Sequence, residues 1–270
     1  MRTAPRRSSL VETTMQPQLS VVLVQNSWNV IPWNEFFDRA RPYRLRWKLR
    51  AITRRLVARV NLWRARKVLC LTESLRAQIE TLAPGKVEVV SIAMPWGIPR
   101  EAPQGVSTKP GTALVVGTIT WYKRPELALE VIASHAPNIN VVTFVGGIEA
   151  HELWEQIMRR AEELGLQAQH RLAPAIEMPK LYAQAEVTVL PSSLESLGFA
   201  VIESLLYGNR ALVSDIPAHR DASRNLGGTQ PEWFDADAQL VAVDEVQRER
   251  VTESEVRRQW AALRDRLTNG

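Results

Sequence analysis

The sequence predicts an α/β protein built on doubly wound parallel sheets, and three observations carry this prediction. Short runs rich in β-branched residues alternate along the chain with stretches of helical periodicity. The runs are apolar throughout, which is typical of strands that are covered on both faces. A segment rich in Pro, Gly, Ser and Thr at 99–112 is typical of a linker between two domains. The predicted strands are 21–24, 67–71, 87–92, 113–117, 140–146, 187–190 and 211–214.

The chain of 270 residues has room for two domains. Its basic, polar beginning lacks the apolar stretch of a secretory signal, and no run approaches the roughly 18 apolar residues of a membrane span, so we expect a cytoplasmic protein. The predicted parts are a disordered tail at 1–19, an abbreviated N-terminal Rossmann-like domain at 20–98, the linker at 99–112, a C-terminal Rossmann-like domain at 113–243, and a helix packing at the domain junction at 244–270.

The positive charge is concentrated in one segment. Of the 34 Lys and Arg residues, 12 lie in residues 39–67, which contain no acid. The other 22 stand against 29 acids, a balance of −7. Within this segment the apolar residues recur every three or four positions from Leu45 to Trp63, which predicts an amphipathic helix with arginines around the rest of its surface.

Two interpretations of this helix remain open. Its apolar face packs into the domain core and its cations are solvated, or residues 43–66 lie on an anionic membrane surface, at the inner face of the membrane. The cations that would face such a surface include Arg46, Arg50, Arg54 and Arg55. We do not expect nucleic acid as a partner, because no stacking-aromatic pattern accompanies the charge.

The residue types that bind metals are scattered. The single cysteine, Cys70, lies in an apolar run and is predicted to be a buried strand residue. The four histidines form no cluster, and of these only His219, on a loop after a predicted strand, is a candidate for approaching a site. We therefore predict no metal site and no cofactor.

Two loops follow predicted strands at the edge of the sheet where doubly wound proteins bind ligands. The first runs from Gly117 to Lys123 and leads into a helix that begins with Pro125. A lysine beside a helix N-terminus would attract an anionic oxygen, and a solvated lysine is the alternative.

The second loop follows the strand at 187–190 and contains Glu195. Gly198 then begins a helix that ends at Gly208 and carries Glu203 about one and a half turns in. The backbone N–H groups at the start of this helix favour phosphate, whereas a carboxylate beside phosphate is favourable when it binds hydroxyls. A ligand that carries both phosphate groups and diols is a nucleotide sugar, so we expect this loop to bind a nucleotide sugar.

These loops resemble the retaining glycosyltransferases of family four, which have the two-domain GT-B fold. The resemblance is strongest over 190–221, where two glutamates are separated by seven residues and a "SDIPAHRD" loop follows; it extends to 115–133 and, weakly, back to about residue 21. It implies that Glu195 contacts donor-sugar hydroxyls, Glu203 the ribose and Lys123 the diphosphate. It also implies that phosphate and sugar contact the amides of Leu197, Gly198 and Phe199.

The chain departs from the family pattern in three respects, one of which is Leu197 in place of the family's aromatic residue two positions after the first glutamate. After Gly117, where the family usually has an arginine, this chain has Thr118, so Arg124 is the candidate replacement. The domain at 20–98 is also shorter than the corresponding family domain, and Gln25 or Asn26 stands where the family often has a histidine.

Three functions remain open at this point. The leading one is a metal-independent transfer of sugar, with retention, from a nucleoside-diphosphate sugar to a glycan, lipid-linked or small-molecule acceptor. The alternative is a nucleotide-sugar-binding accessory protein without transferase activity, because the short N-terminal domain would not build an acceptor site. An epimerase or hydrolase on the same architecture is third, and no convincing acid/base pair supports it.

Overall fold

A computed structural model describes residues 21–90, 103–226, 230–242 and 252–269. The tail predicted at 1–19 and the first residues of the predicted linker lie outside these ranges. The chain divides into two compact units. The first comprises Met1–Ile92, Glu195–Leu197 and Ser254–Gly270, and the second comprises Ala93–Leu194 and Gly198–Glu253.

The first unit contains a parallel sheet of three strands in the order β1-β2-β3. Its core is formed by apolar side chains of β1, β2 and the helices around them, including Cys70, whose burial raises the pKa of the thiol to about 12. The final helix belongs to this unit, and Nη1 of Arg266 lies 2.8 Å from Oε1 of Glu88. The elements are β1 (Val21–Leu23), α1 (Trp33–Arg39), α2 (Leu45–Arg64), β2 (Lys67–Cys70), α3 (Glu73–Glu80), β3 (Val87–Val89) and α9 (Glu253–Asn269).

The long basic helix α2 begins at Leu45, as the sequence predicts, but it does not bury its apolar stripe. The stripe residues Leu45, Leu49 and Trp63 are exposed by 57–73%. The side chain of Arg55 is buried instead, at 1% exposure, so the expectation that Arg55 faces outward with the other cations is wrong. The reason is local, because two backbone carbonyls and two aromatic rings of the same unit surround its guanidinium.

The second unit contains a seven-stranded sheet in the order β10-β9-β8-β7-β4-β5-β6. All its pairs are parallel except β9 with β10, which confirms the doubly wound α/β class. The elements are β4 (Lys109–Val116), α4 (Pro125–His135), β5 (Val141–Val145), α5 (His151–Glu163), β6 (Gln167–Arg171), α6 (Met178–Gln184), β7 (Ala185–Leu190), α7 (Phe199–Tyr207), β8 (Arg210–Ser214), α8 (Pro217–Leu226), β9 (Glu232–Phe234) and β10 (Leu240–Val241).

The strand order of the second unit reverses beside β4. From β4 the chain moves outward through β5 and β6, and then returns to place β7 on the other side of β4. Such a reversal opens a crevice at the carboxyl ends of the two central strands, where doubly wound proteins bind ligands. Strand β4 begins at Lys109, so the last four residues of the predicted linker belong to the sheet.

Candidate functional site

The two loops predicted to bind the ligand follow β4 and β7, the strands on either side of the reversal. They are hydrogen-bonded to each other, because both the backbone N–H and the hydroxyl of Ser193 donate to the carbonyl of Tyr122, at 2.8 and 3.0 Å. The topology and this contact therefore bring the Lys123 loop and residues 191–194, the first part of the loop after β7, to one edge of the second unit.

In the first loop the side chain of Lys123 lies across Gly117. A Cβ built on Gly117 would lie 3.6 Å from Cδ of Lys123, and the glycine has a φ of 144°, which side chains rarely adopt. The N–H of Gly117 donates to the carbonyl of Val145. Gly117 is therefore required for its backbone conformation, and its N–H group already takes part in a hydrogen bond of the sheet.

The next turn fixes the backbone beside Lys123. The backbone of Thr118 lies close to Gly146, the residue after β5, since a Cβ on Gly146 would lie only 2.9 Å from the nitrogen of Thr118. Arg124 has a left-handed backbone at φ 48° and precedes α4, and its Nη2 donates to the carbonyl of Ala236 at 3.0 Å. The proposed role of Arg124 as a phosphate cation therefore competes with this contact.

In the second loop Gly198 caps helix α7 with a left-handed backbone, at φ 74° and ψ 46°. Its carbonyl accepts from the N–H of Val201, and no side chain caps the helix start. The first N–H groups of α7, beginning with that of Phe199, therefore have no acceptor within the helix and can donate to an anion. At the other end, Gly208 is required for space, because a Cβ there would lie 2.5 Å from the carbonyl oxygen of Ser204.

Sequence reasoning treated His219 as a candidate for approaching the site, and the structure places it beneath Gly198. Its ring is buried, and Cδ2 would lie 3.0 Å from a Cβ on Gly198. The hydroxyl of Ser214 donates to the carbonyl of Ser192 at 2.6 Å, so it can only accept from Nδ1 of His219, at 3.1 Å. Nδ1 therefore carries the proton and also donates to the carbonyl of Ser214. This network fixes the backbone that begins α7.

Glu203 lies inside α7, and its half-buried carboxylate has an unusual hydrogen-bond partner. Its Oε2 accepts from the hydroxyl of Tyr182 at 3.0 Å, and Tyr182 is fully buried. Burial raises the pKa of Glu203, and the Tyr182 hydrogen bond lowers it only in part. The hydrogen bond uses one carboxylate oxygen, which leaves the second for a ligand hydroxyl. No sequence pattern indicated a role for Tyr182.

Residues Glu195–Leu197 group with the first unit. The hydroxyl of Ser27 donates to the carbonyl of Glu195 at 2.7 Å, and that of Thr72 donates to the carbonyl of Ser196 at 3.1 Å. The side chain of Leu197 is buried at 3% exposure. The backbone that carries Glu195 is therefore fixed by residues more than a hundred positions away in the sequence, which no local pattern could indicate.

Within the described ranges, no three His, Cys, Asp or Glu side chains come together in a way that could hold a metal ion. None of the helices in those ranges has the length and apolar character needed to cross a membrane.

Residues 100–260, more than half of the chain, match the family model described as glycosyl transferases group 1. Over 160 residues the chain is 30% identical to the D-inositol 3-phosphate glycosyltransferase of Thermobispora bispora. The matched region covers 53% of this chain and 37% of that protein. The chain thus spans well under half the length of this relative.

Solved structures show the same fold. WaaG, a glycosyltransferase involved in lipopolysaccharide biosynthesis, is 17% identical with a TM-score of 0.58, over 82% of this chain and 62% of that chain. HepE of Anabaena in complex with UDP-glucose is 12% identical with a TM-score of 0.58, over 92% and 63%. At these identities the likeness concerns the fold.

Proposed function

Because this chain belongs to the group 1 glycosyltransferases, we propose that it transfers a sugar from a nucleoside-diphosphate sugar to an acceptor, with retention of the anomeric configuration. The observation that carries this proposal is the hydrogen-bonded pairing, through Ser193 and Tyr122, of the two loops that are predicted to bind the donor on either side of the strand reversal. One loop offers a cation and the other offers the start of a helix.

Residues of the two loops bind different parts of the donor. The diphosphate lies between Lys123 and the N–H groups at the start of α7, where positive charge and the helix dipole stabilise it as it leaves. Thr118 and Arg124 border the same oxygens. Glu203 accepts from the ribose hydroxyls, as an acidic residue does in other doubly wound nucleotide sites. Glu195 accepts from the hydroxyls of the transferred sugar, beside the amides of Leu197, Gly198 and Phe199.

This arrangement performs the transfer without a metal ion, because Lys123 and the helix start supply the positive charge that the departing diphosphate needs. Glu203 is assigned to the ribose, so Glu195 and Glu203 do not act as an acid and nucleophile pair. The solved complex of HepE with UDP-glucose supports UDP-glucose as the first donor to test.

The acceptor is a glycan, a lipid-linked sugar or a small molecule. We place the reaction in the cytoplasm at the inner face of a membrane, with residues 43–66 as the contact. The accumulation of 12 cations and no acid in residues 39–67 supports this location.

A second candidate is an accessory protein that binds the nucleotide sugar without transferring it. The observation that favours it is the small first unit, whose described sheet has three strands. Release of UDP from UDP-glucose, with supplied acceptors and with water, separates the two functions. Binding without release in either case would support the accessory protein.

Titration calorimetry of the full chain with UDP and with UDP-glucose tests the donor site. Glu203→Ala should weaken binding of both ligands, because it removes the ribose contact. Glu195→Ala should leave UDP binding unchanged and weaken only the additional affinity for UDP-glucose. Glu155→Ala, at an exposed position of α5, is the control. Equal losses of UDP affinity in Glu195→Ala and Glu203→Ala would contradict these roles.

A further inference from the structure

Helix α2 presents an apolar stripe to solvent. Its large apolar side chains follow spacings of four, seven, four and three, which places them within about 60° of one another around the helix axis. All are exposed in the structure, from Val60 at 39% to Trp63 at 73%. The stripe comprises Leu45, Leu49, Leu56, Val60 and Trp63.

The exposure of this stripe follows from how the buried face of α2, to which Arg55 belongs, is anchored. The guanidinium of Arg55 packs against the rings of Trp33 and Phe36, at 4.4 and 4.6 Å from their centres. It also donates to the carbonyls of Trp28 and, at 2.5 Å, Ile31. Burying the stripe would require rotating α2 and removing Arg55 from all four contacts. The orientation of α2 is therefore fixed with the stripe outward.

Cations border the stripe on both sides. At 100° per residue, Arg46 and Arg50 lie along one border and Lys48 lies along the other, where the guanidinium of Arg59 packs over the ring of Trp33. Arg46 and Arg50 are exposed, and α2 contains no acid. The helix has 20 residues and is about 30 Å long. An apolar stripe of this length between two cationic borders complements the interface of an anionic bilayer, where acyl chains lie beneath negative headgroups.

We propose that α2 lies flat in the interface of an anionic membrane, with the stripe in the acyl boundary and Arg46 and Arg50 at the headgroups. This deepens the membrane location proposed above, and it depends on the surface of α2 rather than on the transfer reaction. Attachment then has two components, an electrostatic one that salt screens and an apolar one that salt leaves in place.

Sedimentation of the full chain with phosphatidylcholine vesicles, with and without phosphatidylglycerol, tests this proposal in the absence of nucleotide. Arg46→Gln/Arg50→Gln should weaken binding to the anionic vesicles about thirtyfold at low salt, since each cation contributes about 1 kcal/mol, and much less at high salt. Leu49→Gln/Leu56→Gln should weaken binding by about tenfold or more at both salt concentrations, because it removes apolar surface.

A matched control makes the same apolar-to-polar change elsewhere. Met158 and Leu240 are exposed by 42% and 46%, and Met158→Gln/Leu240→Gln should bind vesicles as the wild type does. The proposal is overturned if the wild type does not sediment with anionic vesicles at low salt. It is also overturned if the stripe variant binds like the wild type, since charge alone would then hold the protein.

A fluorophore on the stripe tests insertion directly. Cys70 is fully buried, and burial raises its pKa to about 12, so a nitrobenzoxadiazole label on Leu56→Cys reacts selectively at the introduced thiol. Its emission should shift to the blue on anionic vesicles, whereas the same label on Leu240→Cys should not shift. Self-association of the wild type that Leu49→Gln/Leu56→Gln abolishes would instead assign the stripe to a second copy of the chain and overturn the proposal.

Discussion

Replacing Gly198 by alanine tests whether the start of α7 is built for close packing. The backbone of Gly198 is left-handed, at φ 74°, which costs a residue with a Cβ about 1–2 kcal/mol. The new Cβ would also lie 3.0 Å from Cδ2 of His219, and such overpacking adds about 1–3 kcal/mol. We therefore expect Gly198→Ala to lower the free energy of unfolding by about 2–5 kcal/mol in urea denaturation, and to weaken UDP binding because the first N–H groups of α7 move.

Gly165 provides the control for the backbone contribution. Its φ is 69°, and a Cβ there would meet nothing within 4 Å, so Gly165→Ala should show the left-handed cost alone and leave UDP binding unchanged. A double-mutant cycle of Gly198→Ala with His219→Ala should recover part of the loss, because the smaller side chain removes the clash. Equal destabilisation by Gly198→Ala and Gly165→Ala, or strict additivity in the cycle, would refute the close approach.

Two further predictions concern buried charge. Burial raises the pKa of Glu203 above its ordinary value of 4.5, so between these two values the folded protein binds more protons than the unfolded chain, and the free energy of unfolding falls as the pH rises. Urea denaturation should show this fall for the wild type relative to Glu203→Gln. A constant difference in stability between the two proteins across that pH window would contradict the prediction. Arg55→Leu should lower the free energy of unfolding by about 2–4 kcal/mol, because the carbonyls of Trp28 and Ile31 lose their hydrogen-bond donors. Arg54→Leu, at the exposed neighbouring position, should change the free energy of unfolding by no more than about 0.5 kcal/mol. Equal effects of the two substitutions would contradict the anchoring role of Arg55.

Most of the strands that the sequence predicted correctly are largely buried, since an apolar run has one physical explanation; the exception is β3, whose three residues are half-buried. Strand β6 was not predicted, because its residues Gln167–Arg171 are polar. It is an edge strand with alternating exposure, so it forms through pairing with β5 rather than through its own apolar content. Edge strands of this kind depend on tertiary context, which a single sequence does not display.

The two loops of the candidate site could be predicted because each follows a recognisable strand and includes a glycine or a charged residue beside a helix start. The contacts that hold them could not. The hydrogen bond from Ser193 to Tyr122 and the packing of His219 against Gly198 join segments that are distant in sequence or separated by a strand. The position of His219 on the loop after a predicted strand made it a candidate for approaching the site, but its contact with Gly198 is known only from the structure.

The environment of Glu203 favours a ligand role over a structural one. A carboxylate that serves only the fold is normally paired with a cation, which offsets the loss of its hydration. Glu203 has the neutral hydroxyl of Tyr182 as its hydrogen-bond partner, and its pKa is raised by burial, so the folded protein carries a desolvation cost at neutral pH. A ribose hydroxyl donating to the second oxygen would offset part of that cost when nucleotide binds. Glu203→Gln should therefore be more stable than the wild type without nucleotide at neutral pH, and should gain less stability when UDP is added.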